Sequence, residues 1–199
     1  MKRKTFDLIL TALGAVLTVV LIAAGALLLW GNSFANDQVH NQLALQQVYF
    51  PTKAQLAHPT GHEVTTTMVP YMSPYAGKMV TTGQQAQIYA THFIRIHLSQ
   101  MPYGGVYAKV SSASRANPTT ASLAGEVQTV FQGTTLRAML LEAYGFSIFG
   151  QLAFDGALAA FSAAALMLVL TGMGLWHIRR TPLSVEFPKS LSEQAAKAA

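Results

Sequence analysis

Two long apolar stretches decide the fold of this chain: LILTALGAVLTVVLIAAGALLLW at residues 8–30 and GALAAFSAAALMLVLTGMGLWHI at residues 156–178. Neither stretch contains an Asp, Glu, Lys or Arg. Each has about 23 residues, and about 20 apolar residues are enough for a helix to cross ~30 Å of hydrocarbon. The sequence therefore predicts an all-α membrane protein with two transmembrane helices.

The charges that flank the two stretches set the expected orientation. Lys2, Arg3 and Lys4 precede the first stretch, and Arg179 and Arg180 follow the second. Short basic flanks stay on the cytoplasmic side of a membrane. We therefore expect the plasma (inner) membrane as the location, with both termini cytoplasmic and residues 31 to about 150 extracytoplasmic.

The predicted organisation is a transmembrane hairpin with a mainly helical extracytoplasmic domain inserted between its two arms. Its parts are a basic cytoplasmic N-terminus (1–7), transmembrane helix 1 (8–30), the extracytoplasmic domain (31–134), a juxtamembrane extension of helix 2 (135–155), transmembrane helix 2 (156–178) and a cytoplasmic tail (179–199). A signal peptide cleaved near Ala35 is the alternative for the first stretch. Signal peptides have shorter apolar regions, of about 7 to 15 residues, so we favour a retained helix.

Composition narrows the function classes. The chain is 51% hydrophobic and 11% charged, with long apolar runs that are typical of a membrane protein. Much of its formal net charge of +5 lies in the two cytoplasmic flanks, so the lipid bilayer is the expected partner and nucleic acid is not. The chain has no cysteine, which excludes disulfides and thiolate catalysis.

Proline and glycine spacing divides the outer domain. Residues 31–49 lack proline and place Val39, Leu43 and Phe50 near one helix face, so helix 1 should continue until Pro51 stops it. Residues 51–82 carry four prolines and predict a loop with single helical turns. This loop should bury its apolar members, which are Met68, Val69, Tyr71, Met72, Tyr75 and Met79.

One further helix is predicted after the loop, followed by a short segment whose type is left open. A capping-box pattern, Thr81 with Gln84 or Thr82 with Gln85, indicates the start of the first. Its core-facing stripe contains Ala86, Tyr89, Ala90, Phe93, Ile94 and His97. Residues 106–115 fit either a short helix or a strand, since apolar residues alternate there.

The last part of the outer domain predicts two separate helices. Asn117 as N-cap and Pro118 at the first helical position indicate one start, and that helix should end near Gly133. Thr134 or Thr135 should begin a final helix of about 45 residues, nearly 70 Å long, that runs through the second span. Three glycines are the expected kink or close-packing points: Gly145, Gly150 and Gly156.

Small residues repeat along the second span. Gly156, Ala160 and Ala164 lie four residues apart, a spacing that lets another helix approach closely. They are candidate helix-packing residues, either within the hairpin, which we favour, or with another subunit. Asp155 precedes this span at the predicted headgroup level, where a solvated carboxylate is expected rather than a proton relay.

The sequence suggests no catalytic, cofactor or metal site. His58, His62 and Glu63 form a local cluster of metal-ligand types, but Pro59 and Gly61 argue against the helix that would align the two histidines. The remaining candidate site is an aromatic surface or pocket in the outer domain, although aromatic residues at helical spacing more often form core. Its members are Tyr71, Tyr75, Tyr89 and Phe93.

Six stretches carry a resemblance to a known family: MKRKTFD (1–7), residues 30–50, PYMSPYAG (70–77), YATHFI (89–94), VFQGTTLR (130–137) and WHIRR (176–180). Together they make nearly the whole chain resemble a family of small bacterial two-span membrane proteins. Members of that family are often labelled aromatic ring-opening dioxygenase small subunits. The resemblance implies the two-span topology but no activity, because a nonhaem iron site needs two histidines and a carboxylate that converge.

Three function hypotheses follow. The favoured one is a non-enzymatic interaction or accessory (scaffold) protein that presents its outer domain to a membrane-protein partner or to a second copy of itself. The alternative is an extracytoplasmic ligand-binding or sensing module, which needs a pocket lined by the four aromatic candidates. An enzyme is the least favoured, since the sequence positions no base, nucleophile or metal set. No cofactor is expected.

Overall fold

The computed structural model describes residues 3–180. The described residues are about 83% helical and contain no β-strand; an isolated antiparallel bridge joins Tyr49 and Met79. The predicted cytoplasmic tail beyond Arg180, and the first two residues of the basic N-terminus, lie outside the described residues. The all-α prediction is confirmed for the part that is described.

Seven α-helices occupy the described residues: α1 (Arg3–Gln46), α2 (Lys53–Ala57), α3 (Val69–Met72), α4 (Gly83–Tyr89), α5 (Arg95–Gln100), α6 (Tyr107–Ala116) and α7 (Ala121–Arg180). Two 3₁₀ segments, Ser73–Tyr75 and Pro102–Gly105, follow α3 and α5, and a π-helical turn, Ala90–Ile94, joins α4 to α5. Contacts divide the chain into two compact units. We call Met1–Trp30 with Ala153–Ala199 the terminal unit, and Gly31–Leu152 the middle unit.

The terminal unit contains the two apolar stretches. Helices α1 and α7 are both long enough and apolar enough to cross a membrane, by length and composition. Small residues lie where these helices face each other: a Cβ added to Gly14 would meet the Thr171 side chain, and one added to Gly25 would meet the ring of Phe161. Many of the other large side chains are exposed, for example Leu13, which is 62% exposed.

The middle unit has a core of large side chains. Phe50, Met68, Met72 and Leu140 are almost completely buried there. Residues from α1 and α7, from the loop after α1 and from α4 with its π-helical turn share this core: Val39, Leu43, Phe50, Leu56, Val64, Met68, Met72, Val80, Ala86, Ala90, Ile94 and Leu140. The loop is thereby held by its own methionines rather than by regular secondary structure.

Several local predictions are confirmed. Helix α1 continues beyond the first apolar stretch as predicted, but it ends at Gln46, where Gln47 takes a left-handed φ of 52°, and not at Pro51. The loop that follows has only short helical pieces, and it buries Met68 and Met72. The capping box is the second alternative: the Gln85 backbone N–H donates to Thr82 Oγ1 at 3.3 Å, and the Thr82 N–H donates to Gln85 Oε1 at 3.1 Å. Residues 106–115 belong to helix α6 and not to a strand.

The prediction of a helix start at Asn117 is wrong. Asn117 instead ends α6: its backbone N–H and its side-chain Nδ2 both donate to the Ala113 carbonyl, at 3.1 and 3.0 Å. Side chains that fold back on a helix end resemble those that cap a helix start, and the sequence pattern does not separate them. Helix α7 begins four residues later, at Ala121.

The predicted break near Gly133 is also wrong, because α7 runs through it to Arg180. A Cβ at position 133 would lie 2.8 Å from Leu98 Cδ2, so this glycine makes room for a neighbouring side chain rather than ending the helix. The third correction concerns Tyr71, which was expected to be buried and is 48% exposed. Its ring packs on another ring at the surface, as described below.

Candidate functional site

Five rings form a connected cluster in the middle unit. Phe50 contacts two of the other rings: it stacks on Tyr75, with ring centroids 5.1 Å apart, and meets Tyr89 edge-on at 5.5 Å. The series continues from Tyr89 to Phe93 at 4.6 Å and from Phe93 to His97 at 4.5 Å. Three of the four predicted aromatic candidates are therefore brought together, and we call these five residues the aromatic cluster.

The polypeptide positions three of these rings along one helical run. The capping box fixes the start of α4, and Tyr89, Phe93 and His97 then recur every four residues across the π-helical turn. A π-helical turn inserts an extra residue into a helix, and such turns are frequent at functional sites. The hydrogen bond from the Phe50 N–H to the Lys78 carbonyl, at 2.9 Å, fixes the backbone that carries the Phe50 ring.

The Tyr89 phenol is half-buried in the aromatic cluster. Burial raises the pKa of Tyr89 to about 12, so its hydroxyl stays protonated throughout the physiological range. The aromatic cluster therefore contains this residue as a neutral phenol.

Tyr71 lies apart from the aromatic cluster and pairs with His92. Their rings are stacked, with centroids 3.5 Å apart and planes inclined by 9°. Desolvation lowers the pKa of His92, and the nearby positive charge of Arg95 lowers it further. The ring pair is therefore favoured in its uncharged form, and Tyr71 is not part of the pocket that the sequence suggested.

A cavity of about 370 Å³ lies against the aromatic cluster. Its walls come from the chain that follows α1, from α2 and the loop after it, and from the π-helical turn and α5. The lining residues are Tyr49, Phe50, Pro51, Thr52, Gln55, Glu63, Val64, Phe93 and His97. This volume falls within the range of small-molecule sites in proteins.

The polar side of this cavity is organised by a second capping box. The Gln55 N–H donates to Thr52 Oγ1 at 3.3 Å, and the Thr52 N–H donates to Gln55 Oε1 at 2.8 Å. The side-chain amide of Gln55 then donates to Glu63 Oε2 at 3.3 Å. The carboxylate of Glu63 is thereby held at the cavity by a residue whose own orientation is fixed by the start of α2.

His97 ties the loop to the helix beneath it. Its Nδ1 lies 2.9 Å from the Phe93 carbonyl oxygen, and its Nε2 lies 3.1 Å from the His62 carbonyl oxygen. Both ring nitrogens thus lie beside backbone carbonyl oxygens, and which of them donates a hydrogen bond depends on the tautomer of the ring. The second of these contacts anchors the residue immediately before Glu63.

A smaller, almost entirely apolar cavity of about 200 Å³ lies on another side of Phe93. It is bounded by α5 and α7, and Gly133 and Leu136 contribute to its wall. Phe93 and His97 line both cavities. The two residues therefore separate the two cavities of the middle unit.

The candidate helix-packing residues lie in the terminal unit. Ala164 is buried, whereas Gly156 and Ala160 are half-buried. A Cβ on Gly156 would lie 3.3 Å from Leu28 Cδ1. The most buried small residue of this helix segment is Ala157, which is 1% exposed.

The remaining chemical candidates are dispersed. His58, His62, Glu63 and Asp155 are exposed. Within residues 3–180, no three His, Asp or Glu side chains are grouped so that they could hold a metal ion.

An exposed apolar stripe runs along the part of α7 that belongs to the middle unit. We define the α7 stripe as Phe131, Met139, Phe146 and Phe149, which are 50%, 55%, 41% and 69% exposed. At about 100° per residue, these four positions fall within an arc of about 80°. Their side chains therefore form one face of the helix.

Sequence reasoning missed both the α7 stripe and most of the cavity wall. Two signals were present for them. Thr52 and Gln55 repeat the capping-box spacing that was recognised thirty residues later, and the stripe repeats large apolar residues at helical spacing. Local sequence patterns, however, do not predict which distant segments of the chain meet at the cavity.

No protein-family model matches the chain, and neither does any curated protein or any solved structure.

Proposed function

We propose that this chain is a membrane-anchored, non-enzymatic accessory protein that binds another membrane protein or a second copy of itself. In this proposal the apolar parts of α1 and α7 form a transmembrane hairpin, and the middle unit is a helical domain inserted between them on the extracytoplasmic side. Both termini are cytoplasmic, in the plasma membrane of a bacterium. Membership of the two-span family that the sequence resembles is part of the same proposal.

The surface of the terminal unit supports the membrane placement. Its large aliphatic side chains are exposed, for example Val19 at 67% and Leu166 at 61%. Such a surface is unfavourable in water and favourable in lipid. The two buried threonines of α1 satisfy their hydroxyls within the helix, since Thr11 donates to the Asp7 carbonyl at 2.7 Å and Thr18 to the Gly14 carbonyl at 2.8 Å. Polar groups in hydrocarbon need such internal partners.

The α7 stripe is the observation that carries the interaction function. It lies in the unit that we place in water, and it has three phenylalanines and a methionine on one helix face. Contiguous exposed apolar patches mark interaction sites in soluble parts of proteins, and Phe and Met are enriched at interfaces. Helical anchors at such spacings insert into grooves on a partner.

Purification from native membranes after mild crosslinking tests this function. We expect the wild-type chain to be recovered in a complex heavier than one chain. Replacing Met139, Phe146 and Phe149 together by serine should lower recovery of that complex at least tenfold, because buried interface anchors typically contribute more than about 1 kcal/mol each. Since the three side chains are exposed, helix content and thermal stability should stay unchanged.

Thr135→Ser is the matched control, because Thr135 is an exposed residue on the same face and is already polar. It should leave recovery of the complex as in the wild type. A wild-type chain that purifies as a monomer without a partner, or a complex that survives the triple serine substitution, contradicts the proposal.

The cavity beside the aromatic cluster favours a second candidate function, a ligand-binding or sensing module. A volume of about 370 Å³ with apolar rings on one side and a few fixed polar groups on the other is the usual composition of a small-molecule site. The two functions are compatible in one chain, because the cavity and the α7 stripe involve different residues.

A further inference from the structure

We propose that the 370 Å³ cavity binds a small organic ammonium compound, with the Glu63 carboxylate as its counter-ion and the rings of Phe50 and Phe93 as its apolar wall. This proposal rests on the ligand-binding candidate function and names the class of ligand. It is independent of the α7 stripe and of the accessory function.

The charge of the cavity selects a cation. Among the nine lining residues, Glu63 is the only carboxylate, and none is a lysine or arginine. In the part of the chain that the structure describes, no basic nitrogen lies within ion-pair distance of Glu63. Its carboxylate is oriented by one amide donor, Gln55 Nε2. A carboxylate held at an aromatic cavity without a cationic partner is a site that an ammonium group can complete.

Most of the other polar groups of the cavity already have hydrogen-bond partners. Gln55 Oε1 accepts hydrogen bonds from the Thr52 backbone N–H and hydroxyl, at 2.8 and 2.9 Å. Both ring nitrogens of His97 face backbone carbonyl oxygens. The phenol of Tyr49 is a further donor that lines the cavity. Glu63 is the only carboxylate among the lining residues, so the cavity is better suited to a cation than to an anion.

The aromatic wall adds a second, independent reason for a cation with an apolar body. Phe50, Phe93 and Tyr49 all line the cavity. Aromatic faces attract organic ammonium groups through the ring quadrupole, and they also contact hydrocarbon or aromatic substituents. Phe50 is a buried member of the aromatic cluster, and Tyr49 is 56% exposed. The wall therefore extends from the core of the middle unit to its surface.

Three probes of nearly equal size test the ligand class. Phenethylammonium carries the cation, phenylacetate the opposite charge, and 2-phenylethanol no charge. Their binding to the full chain in lipid nanodiscs is measured by saturation-transfer NMR and equilibrium dialysis, with empty nanodiscs subtracted. We expect phenethylammonium to bind at least tenfold more tightly than the other two.

Substitutions locate the binding. Glu63→Gln should weaken phenethylammonium binding at least tenfold, and Glu63→Lys should abolish it. Because Glu63 is exposed, both variants should fold, which circular dichroism verifies. Phe93→Leu keeps an apolar side chain but removes the ring, and should weaken binding several-fold. Glu142→Gln, a substitution at another exposed glutamate of the middle unit, should change nothing.

Two results overturn the proposal in different ways. Equal binding of the three probes, or phenethylammonium binding that survives Glu63→Gln, overturns the ammonium assignment and leaves a ligand cavity of another class. Binding of none of the probes overturns the assignment and the ligand-binding function together. Neither result affects recovery of a complex through the α7 stripe, so failure of the accessory function is recognised separately.

Discussion

The two units of this chain differ in the size of the side chains that they bury. In the middle unit the buried residues include large side chains, such as Phe50, Met68 and Leu140, beside small ones such as Ala86 and Ala90. In the terminal unit the buried residues are small, such as Gly14 and Ala164, whereas the leucines and valines lie on the outside. Large apolar side chains are thus buried in the middle unit and exposed in the terminal unit of the same chain.

The difference is explained by the solvent that we assign to each unit. In water, burial of apolar area drives folding, so the largest apolar side chains occupy the core. In lipid, an exposed leucine gains nothing by moving inside, and helices associate where small residues let their backbones approach. Substitutions can therefore test this explanation, since the same chemical change should have different effects on stability in the two units.

The largest effect is expected in the core of the middle unit. Phe50→Ala should destabilise this unit by roughly 3–5 kcal/mol, because it removes a buried ring that contacts both Tyr75 and Tyr89 and leaves a cavity. Phe154→Ala, in the terminal unit, removes a ring that is 43% exposed and should have little effect on stability. Hydrogen exchange of amides in α4 and α5 measures the difference. Equal protection in the two variants contradicts the assignment of the core.

A smaller effect is expected in the terminal unit, from adding a methyl group instead of removing a ring. Gly25→Ala adds one methyl group that would lie 2.9 Å from the Phe161 ring, so it should destabilise helix association by about 1–3 kcal/mol. Gly172→Ala is the control, because nothing lies within 4 Å of its added Cβ. Unfolding in a detergent titrated with SDS measures both. A Gly172 variant as unstable as the Gly25 variant argues against this contact.

The smallest effect is the dependence of stability on pH, which we expect in the middle unit because we place that unit in water. The pKa of His92 is lowered below its usual 6.5 in the folded chain, so the unfolded chain takes up a proton first as the pH falls. Protonation of His92 therefore destabilises the folded chain as the pH falls through 6.5 toward the lower pKa that His92 has in the folded chain. Its substitution His92→Gln should reduce the decrease in Tm between pH 7.5 and pH 5.

The matched control for this titration is Gln84→Ala, a substitution at an exposed residue of α4 that carries no titratable group. It should leave the pH dependence of Tm as in the wild type. An identical pH dependence in the His92 variant and the wild type shows that the Tyr71–His92 stack is insensitive to protonation.

The elements that the sequence predicts well are those decided by neighbouring residues. The continuation of α1 to Gln46 and the capping box at Thr82 follow from local backbone and hydrogen-bond preferences. Asn117 shows the limit of such patterns, because an amide near two helix ends can cap either one. Gly133 shows another limit, since its role depends on Leu98, which is distant in sequence.

The candidate site could be predicted only in part for the same reason. Tyr89 and Phe93 are on one helical stripe, and the sequence alone brings them together. Phe50 and Glu63 approach them through the tertiary fold, along a loop whose path is set by buried methionines. The pairing of Tyr71 with His92 likewise depends on two segments that meet only in the folded chain.

The placement of the middle unit outside the membrane barrier is the central claim, and cysteine labelling tests it most directly. The chain has no cysteine, so Gln84→Cys, Lys109→Cys and Ser190→Cys each introduce a single thiol. A membrane-impermeant maleimide applied to cells with a permeable outer barrier should label the first two positions and reach the third only after lysis. Labelling of Ser190→Cys in intact cells, with Gln84→Cys and Lys109→Cys protected, would contradict the account.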